Sequence, residues 1–312
     1  MNIKQSLYIS GIFCSAFAVA ACGDDTSGTG GGGGGTGTDA TTSTTSTTST
    51  TATTTTTSTT SSTGTGGSAA MAMVRVAHLS PDAPAIDFCV KGSSAATFTG
   101  PVMNSLLKVT AGLAYPNLTA YLPLPADKYT VRIVAPGQSS CETALAKLPD
   151  VKDLAVEADK SYTVAAIGQL MAAAPTKPFE IKAFADDDTV DAQKAKVRFI
   201  HASANTPNVD VGTGAADKFM AIFSNVKFGD EGVVGGKKYL ETPALSKVTL
   251  SARATGTVAD ALVLNNVDVP AGAIVTAFAI GNLGDKPQPL KVLVCVDNAP
   301  AANNLTPCTA LP

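Results

Sequence analysis

The chain has 312 residues, 45% of them hydrophobic, with no Trp and a net charge of −3. At about 150 residues per domain, that length leaves room for two domains. Lys and Arg are scattered, so the basic patch that nucleic-acid binding needs is missing.

The N-terminus reads as a targeting segment, set aside before any fold is argued. Lys4 supplies its positive charge, an apolar run follows from Leu7 to Ala20, and small residues close it at Val19-Ala20-Ala21-Cys22. A Cys directly after such residues resembles a bacterial lipobox, in which the thiol is acylated and becomes the new N-terminus. The alternative is an ordinary secretory signal that leaves Cys22 as a stray thiol. The apolar run falls short of the roughly 20 residues a spanning helix needs. Lys4 is the only charge in residues 1–21, so the chain beyond them carries −4. Gly23 rather than Asp follows the cysteine. In enterobacterial lipoproteins that would permit export to the outer membrane, so the expected location is the outer membrane or cell surface, with the periplasmic face as the alternative.

Residues 22–70 then read as a tether. Gly, Thr and Ser dominate, and Asp24, Asp25 and Asp39 are the only charges. Such a tract has no apolar surface to bury and is expected to be disordered. As a flexible coil it would span about 35–40 Å on average.

From Met71 the composition changes to short β-like runs punctuated by Pro, Gly and Asp. Strands are expected near 74–79, 85–91, 117–122, 127–135, 161–168 and 178–185. A second set is expected near 197–202, 208–212, 219–227, 246–254, 261–268, 273–281 and 290–296. Ala144–Leu154 reads as a stretch that holds a helical turn or two.

One stretch occurs twice. VRVAHLSPDAPAIDF at 74–88 and VRFIHASANTPNVDV at 197–211 share Val74/Val197, Arg75/Arg198, His78/His201, Ser80/Ser203, Pro84/Pro207 and Asp87/Asp210. The two histidines are the only ones in the chain. A repeat this long is the size of a domain. The fold expected is all-β: two tandem immunoglobulin-like or transthyretin-like β-sandwiches over 71–188 and 189–312. The boundary falls in the charged stretch 186–196.

The pattern V-R-x-x-H-x-S-x-x-x-P-x-x-D resembles the start of domain-of-unknown-function family 4397, which bacterial secreted and surface proteins carry in one or two copies. Tyr121-Leu-Pro-Leu-Pro-Ala-Asp-Lys-Tyr-Thr-Val-Arg-Ile133 and Tyr162-Thr-Val-Ala-Ala-Ile-Gly168 are similar to its later strands. Copy two departs from it, with Ala202-Ser-Ala-Asn205 in place of Leu-Ser-Pro-Asp. The resemblance implies a fold and an exported location but no reaction.

Strand alternation puts Val74, Val76, His78 and Ser80 on one face, and Val197, Phe199, His201 and Ser203 on the equivalent face. The apolar neighbours mark that side as the core. Each buried, neutral imidazole then needs a partner, most simply a turn carbonyl or Ser80/Ser203. Arg75 with Asp87, and Arg198 with Asp210, fall on outer faces and would meet diagonally across paired strands. These eight residues are read first as a structural brace and second as a ligand or metal site. A catalytic triad lacks support, since there is no Gly-x-Ser-x-Gly elbow and Asp87 faces away from His78. Zinc lacks a ligand set, and no cofactor motif occurs. Asp186, Asp187, Asp188 and Asp191 raise calcium as a second reading, behind that of a solvated hinge.

Among the cysteines, Cys14 leaves with the signal and Cys22 is the lipid site. Cys89, Cys141, Cys295 and Cys308 remain. Three pairings are formally open; Cys89–Cys141 and Cys295–Cys308 need no contact between domains and are expected for an exported chain, with free buried thiols as the alternative.

The reading is a membrane-anchored lipoprotein presenting two non-catalytic domains to a protein, peptide or glycan. A structural envelope spacer is the alternative, and a hydrolytic or metal-dependent enzyme comes third.

Overall fold

A computed structural model describes residues 70–312 apart from 174–175 and 285–286. The signal, Cys14, Cys22 and the tether therefore lie outside the described residues. Among the described residues no helix is long and apolar enough to cross a membrane.

The protein is all-β, and its strands form four sheets. In the first half, β1 (Met71–His78) sits between β3 (Asn117–Leu118) and β7 (Ser161–Ile167), and β8 (Glu180–Asp186) follows β7. β4 (Leu122–Pro125) also pairs with β1. The facing sheet is β2 (Asp87–Gly92), β5 (Asp127–Val134) and β6 (Val151–Val156). The second half repeats this plan. β9 (Ala195–His201) lies between β12 (Leu240–Thr242) and β15 (Ile274–Ile280), followed by β16 (Lys291–Val296) and β17 (Cys308–Leu311). Its facing sheet runs β11 (Met220–Val226), β10 (Val209–Thr213), β13 (Leu245–Ala254) and β14 (Asp260–Val269). In both halves the first strand pairs in parallel with the penultimate strand of the shared plan, β1 with β7 and β9 with β15. Each half is a β-sandwich.

Most expected strands appear within a few residues of where composition placed them. The stretch Ala144–Leu154 departs from expectation: only Leu145–Lys147 is helical, as a 3-10 turn, and β6 begins at Val151. Val151 and Leu154 pack into the first core, and tertiary burial outweighs the local preference for a helical turn. A π-helical turn over Val102–Leu106 and the strands β12 and β17 were not foreseen.

The core has three parts. Val76, Ile86, Phe88 and Val131 belong to the first sandwich interior. Leu262, Leu264, Val275 and Val292 belong to the second. The third lies between the sandwiches, where Ala77, Leu79, Ala165, Ile167 and Phe184 pack against Ile200, Ala202, Phe278, Ile280 and Leu293. The sheets that carry the repeated motif are thus buried on both faces. This explains why β7 reads SYTVAAI and β15 reads IVTAFAI, with little alternation. The four sheets stack as layers, and the outer face of each motif strand is a junction.

Both disulfides form within a half, Cys89–Cys141 and Cys295–Cys308. The first ties β2 to the loop after β5. The second joins β16 to β17 at directly paired residues.

Candidate functional site

The repeated residues divide by strand alternation into a junction set and a turn set. On β1, Val74 and Val76 point into the first sandwich, and Arg75 points the other way. Arg75 and Arg198 are both fully buried, at 0% exposure. A guanidinium in such a place must be paired and hydrogen-bonded, or it costs several kcal/mol.

The pairing is crossed and closes on itself. Arg75 Nε donates to Thr163 Oγ1 at 2.8 Å, and Thr163 Oγ1 donates to Asp186 Oδ2 at 2.7 Å. Asp186 Oδ1 accepts from Arg198 Nη2, in the other half, at 2.6 Å. Arg198 Nε then donates to Thr276 Oγ1 at 3.2 Å, and Thr276 Oγ1 to Asp297 Oδ2 at 2.5 Å. Asp297 Oδ1 lies 2.9 Å from Arg75 Nη1, which completes the ring. The carboxylates are nearly as buried as the arginines, Asp186 at 3% and Asp297 at 6% side-chain exposure. Tyr121 and Tyr239 cover it, with the Arg75 and Arg198 guanidiniums 4.8 and 4.9 Å from their ring centres. Tyr121 also donates to Asp186 at 2.7 Å. Burial alone would lower both arginine pKa values, but the carboxylates and tyrosines around them raise both overall. Burial pushes both tyrosine hydroxyls well above their ordinary range.

The diagonal pairs expected from alternation, Arg75 with Asp87 and Arg198 with Asp210, do not form. The outer face of the motif strand meets the other sandwich, so each arginine finds an aspartate there. Asp87 instead caps the turn after Pro101, accepting from the backbone N–H of Phe88, Met103 and Asn104 at 2.7, 2.8 and 2.9 Å. Asp210 accepts from the Asn225 N–H at 2.7 Å and from Thr255 Oγ1 at 2.9 Å. Both aspartates act through the backbone of a neighbouring segment.

The histidines hold the turns after β1 and β9. His78 Nε2 donates to the Pro84 carbonyl at 2.9 Å, and His201 Nε2 to the Pro207 carbonyl at 3.0 Å. Each ring meets an aromatic edge-on, Tyr115 at 6.2 Å and Phe228 at 6.3 Å. Burial lowers both imidazole pKa values, so both rings are neutral at pH 7. Ser203 donates to the Gly281 carbonyl at 2.7 Å, and Ser80 to Asp82 at 3.3 Å. Asp82 in turn accepts from the backbone N–H of Leu170 and Met171 at 2.8 and 2.9 Å. In copy two Asn205 does the same work, bonding Leu283 N and O at 2.7 and 3.2 Å. The change from Leu-Ser-Pro-Asp to Ala-Ser-Ala-Asn thus keeps a side chain that bridges the turn after the first strand to the turn after the penultimate one.

The acidic stretch is solvated only in part: residues 188–194 are exposed, while the Asp186 side chain is 3% exposed. Asp186 ends β8 inside the ring. Asp187 pairs with Lys196 at 2.8 Å, Asp188 accepts from Ser161 Oγ at 2.9 Å, and Asp191 caps Gln193 N at 2.9 Å. Each of these carboxylates thus accepts from a protein donor: a lysine, a serine hydroxyl or a backbone N–H. Among the described residues, no group of three or more His, Cys, Asp or Glu is placed to hold a metal ion. Asp186, Asp187, Asp188 and Asp297, with Tyr121 and Tyr239, line a cavity of about 210 Å³ beside the ring.

Thr163, Thr276, Tyr121, Tyr239 and Asp297 were missed from the sequence. A signal existed: Thr163-Val-Ala-Ala-Ile-Gly168 and Thr276-Ala-Phe-Ala-Ile-Gly281 are a second repeat, each followed at a similar distance by Asp186 or Asp297.

The family described as "Domain of unknown function (DUF4397)" matches residues 72–212, from β1 through the first motif strands of the second half. No curated protein matches the chain. Among solved structures, a family CBM26 module of Eubacterium rectale Amy13K, in complex with maltoheptaose, is similar at 10% identity and a TM-score of 0.17. The match covers 73% of this chain and 98% of that one. A candidate adhesin of Bacteroides ovatus is similar at 10% identity and a TM-score of 0.20, covering 78% and 95%. At scores this low the likeness carries no argument about what this chain binds.

Proposed function

We propose that this is a lipid-anchored cell-envelope protein whose two β-sandwiches form one rigid, non-catalytic head that binds a protein, peptide or glycan. The second half is read as another copy of the DUF4397 domain, because its Arg198–Thr276 and His201–Pro207 bonds repeat Arg75–Thr163 and His78–Pro84 at aligned positions. The observation that carries the proposal is the closed Arg75–Asp186–Arg198–Asp297 ring. It fixes the sandwiches face to face, which forgoes reach. A spacer would gain reach by joining its domains end to end, and the Gly/Thr/Ser tract already supplies length. The residues a hydrolase would use also support a non-catalytic role: His78, His201, Ser80, Ser203, Asp87 and Asp210 are all committed to turns and backbone.

Two measurements test this reading. Cys22→Ser should abolish incorporation of an alkyne fatty acid in cells and release the chain from the membrane fraction. The full mature chain, run over glycan and peptide arrays, should retain at least one ligand class. Silence across the arrays, with normal anchoring, would leave the spacer reading in its place.

A further inference from the structure

The two sandwiches have different interiors. Between the sheets of the first lies a cavity of about 150 Å³, lined by Val76, Phe88, Val131, Val164, Ala166 and Ile181 among others. The equivalent space in the second is about 60 Å³. The repeat explains much of the difference. Val76 aligns with Phe199, and Phe199 stacks on Phe223 with ring centres 6.3 Å apart, filling the second interior. In a chain without Trp and with many Ala and Val, nothing in the first half fills the corresponding space.

We propose that this cavity is a binding site for a small uncharged hydrocarbon group, of the size of benzene or a chain end of about six carbons; an apolar cavity of about 150 Å³ stays dry and takes such a ligand. Its walls are apolar apart from Thr99 and Tyr129. The polar group of Tyr129, which also lines it, is spent on the Pro125 carbonyl at 2.8 Å. A charged ligand would find no partner, and one with a polar head would leave that head outside. The way in is marked by Leu106, a lining residue that is 62% exposed at the end of the π-helical turn. The site goes beyond the proposed surface binding and stands independently of it.

The test uses the full mature chain with benzene and hexan-1-ol as probes. At ten times the dissociation constant, each should raise the melting temperature by about 3–6 °C. Val76→Phe, which installs the second half's own solution, should abolish that shift, as should Ala166→Leu. Ala279→Leu, the position equivalent to Ala166 in the second sandwich, should leave it intact. Methyl NMR resonances of Val76, Val164 and Ile181 should move on adding probe, which keeps the test open if one filling variant fails to fold. Unmoved methyls and an unchanged melting temperature would overturn the site, as would a shift that survives both filling variants.

Discussion

The two halves share one plan but complete it unequally. Arg198 is fully engaged: besides Asp186 and Thr276 it reaches Glu231 at 3.2 Å and the Ala185 carbonyl at 3.3 Å. Arg75 has Thr163 through Nε and Asp297 as an ion pair, but among the described residues neither Nη1 nor Nη2 makes a hydrogen bond. The interiors differ in the same sense, with Phe199 filling one and Val76 leaving space in the other. What both halves keep is what the junction and the turns require: Arg, Thr, Asp, the His–Pro turn and the glycine after the penultimate strand. Side chains that only fill volume are free to differ. The second half is the better-satisfied side of the ring.

The sharpest way to break this comparison is to remove the carboxylates one at a time. Asp186 serves Arg198, Thr163 and Tyr121, so Asp186→Asn should cost about 3–5 kcal/mol in urea unfolding, the range for breaking a buried ion pair. Asp297→Asn breaks the other buried pair but with fewer donors, so its cost should fall at the low end of that range, about 3 kcal/mol. Equal losses would mean that the ring is energetically symmetric. The double variant should cost less than the sum, because the four charged groups are coupled.

The disulfides come next. Replacing Cys89 and Cys141 by Ala opens a closure of 52 residues and should cost about 4 kcal/mol; replacing Cys295 and Cys308 opens one of 13 and should cost about 3 kcal/mol. The order, read as denaturant midpoints, is the firmer part of the prediction. A reversal would place residual structure in the unfolded first half.

Gly168 and Gly281 provide a case in which the halves should agree. They have φ of +81° and +77°, and an added Cβ would stand 2.1 Å from the Pro178 carbonyl oxygen and 2.2 Å from that of Pro289. Each Gly→Ala change should cost at least about 1–3 kcal/mol, and by similar amounts. A clear difference in denaturation midpoint would show that one turn yields more readily than the other.

Much of this architecture was legible from residues alone. The duplication, the short strands and the within-half disulfides followed from spacing. So did the inward histidines bonded to turn carbonyls. The alternation rule also placed Arg75 and Arg198 on the face opposite the core. It misled about what that face meets, because a period of two says which residues share a face but not whether water or another sheet lies beyond it. Reading β7 and β15 as unbroken apolar runs would have corrected this. The partners of the arginines stayed hidden because Asp297 is far from Arg75 in sequence, and Asp186, though only 12 residues from Arg198, sits in a run of acids that reads as solvated.

The smallest effect, and the finest comparison of the halves, is in pH. Burial lowers the pKa of both His78 and His201 below the unfolded value of about 6.5. The unfolded chain therefore takes up these protons first as pH falls. Stability is complete above about pH 6.5 and declines as pH drops toward the folded pKa values. A melting curve taken from pH 7 to pH 5 should fall, and the double variant His78→Gln with His201→Gln should flatten it. The single variants should not contribute equally. His201 Nδ1 accepts from the Ser203 N–H at 3.4 Å, and protonation would set donor against donor. His78 Nδ1 has no hydrogen-bond partner among the described residues, so protonation there breaks no such bond. His201→Gln should therefore remove the larger share of the slope; equal shares would mean that the Ser203 contact contributes nothing and that desolvation alone sets both values.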